Sequence, residues 1–112
     1  MREELIAELT ALKKLIEDAG NAAGRAAISL MSAKKALQDK EDALLMGKVE
    51  DVVIDGKNAE TRAAQMREHT AVEREKVMHA EAVLEGARTT LANRRAELQI
   101  NLALTELIKE VA

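Results

Sequence analysis

One seam constrains this chain more than any other feature. Leu5, Leu9, Leu12, Ile16, Ala19, Ala23, Ala26, Leu30, Ala33, Leu37, Lys40 and Leu44 recur at alternating four- and three-residue steps, broken only by the lysine. Residues at that period share one side of an α-helix, and such a stripe leaves water only against another helix. The chain must therefore fold on itself or on copies of itself. A second stretch carries a looser seam: Ala63, Met66, Thr70, Glu73, Val77, Ala80, Leu84, Ala87, Leu91, then Arg94 or Arg95, Leu98 and Leu102. Its polar positions favour register over stability.

Composition narrows the class further. The 112 residues include no Phe, Trp, Tyr, Pro or Cys. A core built from Leu, Ile, Val, Ala and Met alone suits helix packing better than a layered sheet. The missing prolines leave long helices uninterrupted. Without cysteine there is no disulfide framework and no thiolate metal site. No apolar run approaches the ~18 residues of a membrane span. Early acids such as Glu3 and Glu4 do not give the basic-then-apolar order of a signal peptide, so a cytoplasmic setting and no membrane contact are expected. Net charge is −3, from 17 basic and 20 acidic residues, without the basic excess of a non-specific nucleic-acid binder.

These features predict a single all-α domain, residues 1–112, folded as a long antiparallel, coiled-coil-like helical hairpin. Helix one is expected over residues 2–46, a tip over 47–57 and helix two over 58–111. Gly47 reads as a helix terminator, and Asp55-Gly56 as a turn. Asn58 reads as the N-cap of helix two, with Glu60 in its first turn. Between them, Val49, Val52, Val53 and Ile54 favour an extended or β-like tip. Gly20-Asn21 and Gly24 offer a stop and restart inside helix one. The heptad phase passes through without a slip, which favours a continuous or kinked helix. Folding about residue 52 would set position i against position 104 − i, bringing Gly20, Ala19 and Ala23 close to Ala80, Ala82, Leu84 and Gly86. Small residues meeting mid-hairpin would then explain the glycines as sites of close backbone approach.

The end of helix two is apolar on several faces, with Leu98, Ile100, Leu102, Leu104, Leu107, Ile108 and Val111. One helix partner covers about one stripe, so this end predicts burial against another chain, with Leu5, Leu9 and Leu12 completing the interface. A homo-oligomer is expected, a dimer forming a helical bundle in the first instance.

Chemistry-bearing groups are sparse. His69 with Glu73, and Glu75 with His79, share helix faces but offer only two metal ligands each, so no metal or other cofactor is expected. Gly56-Lys57-Asn58 opens a helix but lacks the second glycine and the Lys-Ser/Thr pair of a phosphate loop. Lys13, Lys14, Arg88, Arg94 and Arg95 fall at a similar level under the hairpin pairing and form a candidate site for anions or a nucleic-acid backbone. Glu8, Glu17, Glu85 and Glu97 lie close to them in sequence, as on a solvated charged face. No nucleophile neighbours a histidine, and a hairpin offers little volume for a substrate pocket, so no enzyme is expected.

The segment from Val53 to Met66 contains Gly56-Lys57-Asn58-Ala59-Glu60, followed by Arg62. It resembles the tip of small phage and prophage helical proteins, in which such a motif joins a short extended segment to a long second helix. The resemblance covers only the tip and the start of helix two. It implies a phage-encoded protein of the bacterial cytoplasm, and it carries no catalytic residue. Prefoldin-type chaperone subunits share the helix–tip–helix plan but have a longer β-structured middle. The leading functional expectation is a non-enzymatic, homo-oligomeric assembly protein acting on itself and on a host or phage protein. The alternatives are an accessory of phage DNA metabolism working through the basic cluster, and an anion- or nucleotide-binding oligomer with sites between subunits.

Overall fold

The computed structural model describes residues 2–111. It is an all-α helical hairpin of α1 (Arg2–Leu45), α2 (Ala59–His69) and α3 (Ala71–Val111), with no strand among the described residues. None of these helices is long and apolar enough to cross a membrane. The chain divides into two compact units, one combining the stretch before Ala27 with the chain from Val83 onward, the other comprising Ala27–Ala82.

Helix α1 runs without a break through Gly20 and Gly24, as its unslipped phase predicts. Every one of its seam positions is buried or half-buried, Lys40 included. A Cβ added at Gly20, Gly24 or Gly86 would meet nothing within 4 Å. Close backbone approach is therefore not what these glycines serve, and that expectation is corrected.

The helix ends at Gly47, whose φ of 68° lies in the left-handed region. Lys48 N–H donates to Ala43 C=O at 2.9 Å and Gly47 N–H to Leu44 C=O at 3.2 Å. This pair of bonds is the Schellman arrangement, which satisfies the last carbonyls of the helix. Asp51 also has a positive φ, 61°, in the region that Asp tolerates better than most side chains.

Beyond Asp51 burial alternates: Val52, Ile54 and Gly56 are half-buried, while Val53, Asp55 and Lys57 are exposed. That alternation is the signature of extended chain. The strap is fastened to α2 by side chains. Gly56 N–H donates to Gln65 Oε1 at 2.8 Å, Gln65 Nε2 donates to Asp55 Oδ1 at 2.9 Å, and Arg62 Nη1 donates to Gly56 C=O at 3.1 Å. Asn58 caps α2, its Oδ1 accepting from Thr61 N–H at 2.8 Å. At Gly56 an added Cβ would lie 2.7 Å from the backbone nitrogen of Arg62. Only glycine lets the strap lie this close to the first turn of the helix.

Two expectations about the second half need correction. Helix two is not continuous over 58–111, because it is interrupted at Thr70, between α2 and α3. The 104 − i pairing also fails. It sets Glu41 against position 63, whereas Arg74 Nη2 reaches Glu41 Oε1 at 3.3 Å, a shift of 74 − 63 = 11 residues. The strap accounts for the shift in register. Eleven residues of helix span about 16 Å, and five extended residues span about the same. Helix α2 therefore runs back along the strap, and the pairing of α1 with the returning chain is displaced towards α3, as the Glu41–Arg74 ion pair shows.

The core is thin. Among the described residues its buried hydrophobic side chains are Leu12, Ala19, Ala26, Leu44, Ala80 and Leu84. Thr70 is the one buried polar residue, at 0% exposure. Its Oγ1 donates to Met66 C=O at 2.6 Å and accepts from Arg74 Nε at 2.9 Å. The backbone bonds Thr70 N–H to Met66 C=O and Arg74 N–H to Thr70 C=O bridge the interruption. A threonine hydroxyl bonding back to the carbonyl four residues earlier bends a helix, and here it does so at the seam.

Candidate interaction surfaces

The last turns of α3 change face. Up to Leu98 the half-buried positions follow the hairpin seam, Ala87, Leu91, Arg94 and Leu98. The seam then continues through Asn101 and Thr105, both polar and half-buried, with Thr105 Oγ1 donating to Asn101 C=O at 2.8 Å. The apolar residues leave the seam and turn outward. Ile100, Leu104, Leu107 and Val111 are spaced by four, three and four residues, and all are exposed, from 50% at Leu104 to 85% at Val111. Ile108 flanks this stripe, whereas Leu102 is exposed on the far side of the seam, about 200° around the helix from Ile100 and Leu104. The stripe's spacing is that of a coiled-coil seam, and among the described residues nothing covers it.

The interface residues expected from sequence thus separate into two groups. Leu5, Leu9, Leu12 and Leu98 lie on the hairpin's own seam, Leu12 buried and the others half-buried. They face the hairpin seam and do not belong to the outward apolar face. Ile100, Leu104, Leu107, Ile108 and Val111 remain as an outward apolar face, and Leu102 is exposed apart from it.

Of the basic cluster, Lys14 pairs with Asp18 at 3.1 Å and Arg94 with Glu97 at 3.1 Å, each within its own helix. Among the described residues no hydrogen bond or ion pair joins Lys13, Lys14, Arg88, Arg94 and Arg95 to one another or across the hairpin. Arg94 is half-buried and the other four are exposed. Each acid that pairs with one of these bases lowers the charge available to a phosphate.

The fold treats the two histidine pairs differently. His69 closes α2, where its position in the last turn suits the helix dipole, while Glu73 stands beyond the Thr70 interruption. His79 and Glu75 line an open groove on the Ala27–Ala82 unit with Ser29, Ala33, Val72, Lys76 and Ala80. Among the described residues no three His, Asp or Glu side chains come together in a metal-holding group. At the α2 N-terminus Asn58 Oδ1 takes both Thr61 N–H and Thr61 Oγ1–H, so capping chemistry occupies the place that a phosphate-loop reading would give to an anion. Lys35 holds Asp39 at 2.8 Å, a hydrogen bond and charge attraction that raise the lysine above its ordinary pKa.

Sequence reasoning missed the clasp of Gln65 and Arg62 on the strap. Its signal was present in the tip motif itself, where glycine, an N-cap and an arginine four residues after that cap occur together. A second shallow groove, about 330 Å³, lies under this tip and is lined by Leu44, Leu45, Gly47 and residues 49–54. Comparison of the chain with protein-family models, curated proteins and solved structures finds no match.

Proposed function

We propose that this is a non-enzymatic assembly protein that associates with copies of itself through the outward face of α3. The observation that carries the reading is the stripe of Ile100, Leu104, Leu107 and Val111, exposed and at coiled-coil spacing while the hairpin seam beside it turns polar. Ile108 and Ala103 flank the stripe and widen it beyond a two-stranded seam, which suits a bundle of helices. The tip motif, through its resemblance to phage and prophage helical proteins, supports a phage-encoded assembly acting on a host or phage complex in a bacterial cytoplasm.

Leu104→Glu with Leu107→Glu tests the reading, because it places charge on the stripe and leaves the hairpin seam untouched. Light scattering is expected to report an oligomer for the native chain and a monomer of unchanged helicity for the variant. An unchanged mass for the double variant would overturn the proposal.

A further inference from the structure

Asp55-Gly56 is the one Asp-Gly or Asn-Gly step in the sequence. An aspartate carboxyl lies within reach of the next residue's amide nitrogen, and a five-membered succinimide forms when that nitrogen attacks Cγ. A side chain on the following residue hinders the attack, and glycine has none. Packing nevertheless requires glycine here, because a Cβ at position 56 would lie 2.7 Å from the Arg62 backbone nitrogen. Asp55 itself is exposed to water.

One side chain holds both reacting groups. Gln65 Oε1 accepts the Gly56 N–H at 2.8 Å, and Gln65 Nε2 donates to Asp55 Oδ1 at 2.9 Å. Attack undoes each bond. The nitrogen must give up the proton that Oε1 engages, and the carboxyl must leave Nε2 and turn its carbon towards Gly56. Closing the ring also brings Asp55 Cβ and Gly56 N into eclipse about the Asp55 Cα–C bond, which extended backbone keeps apart. Arg62 Nη1, on the Gly56 C=O at 3.1 Å, fastens the strap one peptide further on.

We propose that Asp55-Gly56 is a latent site of isoaspartate formation, kept unreacted by the Gln65 amide while the strap is clasped to α2. In the opened strap the Gly56 nitrogen bonds to Asp55 Cγ. The protonated carboxyl loses its hydroxyl, which departs with the nitrogen's proton as water. Water then adds to either carbonyl of the ring. Breaking the bond from nitrogen to Cγ restores aspartate. Breaking the bond from nitrogen to the backbone carbonyl carbon leaves the chain running through Cβ and Cγ, as isoaspartate. No oxidant is consumed and the net composition is unchanged. The lengthened backbone carries the Gly56 N–H away from Gln65, so reaction unfastens the tip. The site does not depend on the α3 stripe.

The rate follows the population of opened strap when opening is faster than the chemistry. Two hydrogen bonds of ordinary net worth shift that population by a factor of about thirty. Gln65→Met, similar in length and without a hydrogen-bonding amide, is therefore expected to accelerate isoaspartate formation at Asp55 about thirtyfold. The full chain is incubated at neutral pH and body temperature, and its tryptic peptide of residues 49–57 is followed by reversed-phase chromatography with mass spectrometry. The succinimide is lighter by one water, and isoaspartate separates from aspartate at equal mass. Asp51, in the same peptide and followed by β-branched Val52, is the internal reference and is expected to stay unmodified. The native chain unfolded in guanidinium chloride sets the ceiling, and comparison with it stands without any variant. Asn58→Ala, which loosens α2 and leaves the clasp in place, is expected to accelerate the reaction about fivefold at most. A folded native chain that reacts as fast as the unfolded one would overturn the proposal. So would a Gln65→Met rate equal to that of the native chain, or to that of Asn58→Ala.

Discussion

Replacing Thr70 by valine keeps the shape and β-branching of the side chain and removes only its hydroxyl. Two bonds are lost, the one donated to Met66 C=O at 2.6 Å and the one accepted from Arg74 Nε at 2.9 Å. Met66 C=O keeps its backbone partner, so losing the first bond costs about 1 kcal/mol. A bond to a charged donor is worth about 1.5–3 kcal/mol when buried. The Arg74 side chain is 41% exposed, and water recovers part of that, leaving about 1 kcal/mol. Threonine and valine have near-equal helix propensity, so the expected loss is about 2 kcal/mol. With an unfolding entropy of about 2.1 cal/mol/K per residue, the midpoint should fall by about 8 °C. Far-UV circular dichroism is the assay, since the chain has no aromatic side chain to report by fluorescence. Native and variant chains are compared at one protein concentration, because association shifts the apparent midpoint. A double-mutant cycle with Arg74→Met should return a coupling of about 1 kcal/mol. A loss within about 0.5 kcal/mol, the range of ordinary surface changes, would refute the claim that this hydroxyl organises the interruption.

Three further substitutions separate the tip from the helices. Gly56→Ala forces a Cβ within 2.7 Å of the Arg62 backbone, so the strap must lift from α2; proteolysis should accelerate within residues 48–57 while helicity is retained. Asn58→Ala removes the cap of α2 and should lower stability by about 1 kcal/mol in urea unfolding. Gly24→Ala places a methyl in open space within α1 and should raise stability by about 0.5–1 kcal/mol, where any loss would restore a packing role for that glycine.

The parts of this fold legible in the sequence are those set by local period and by caps. The seam of α1, from Leu5 to Leu44, follows from spacing alone because each position has the same partner direction. Gly47 and Asn58 were readable for a related reason: each satisfies the orphan backbone groups of its own helix and needs no distant residue. What sequence could not supply was register. A pairing centred on the tip assumes that both helices begin at the turn, and the strap breaks that assumption by running beside α2. Gln65 and Arg62 hold it there by reaching back to Asp55 and Gly56, contacts with no periodic signature.

The same distinction decides how the end of α3 is read. Sequence showed an excess of apolar residues after Leu98 without saying which of them the hairpin would use. Asn101 and Thr105 resolve it, because they continue the seam phase while carrying polar groups that a dry helix–helix contact would penalise. The aliphatic residues, displaced to the opposite face, repeat at the coiled-coil period over the last turns of the helix. A chain selected only to be a hairpin would gain by exchanging these two sets, with leucines on the seam and polar groups outside. The absence of that exchange at four successive stripe positions, Ile100, Leu104, Leu107 and Val111, is the feature of this end that the hairpin's own packing does not explain, and it is the ground on which the assembly proposal stands.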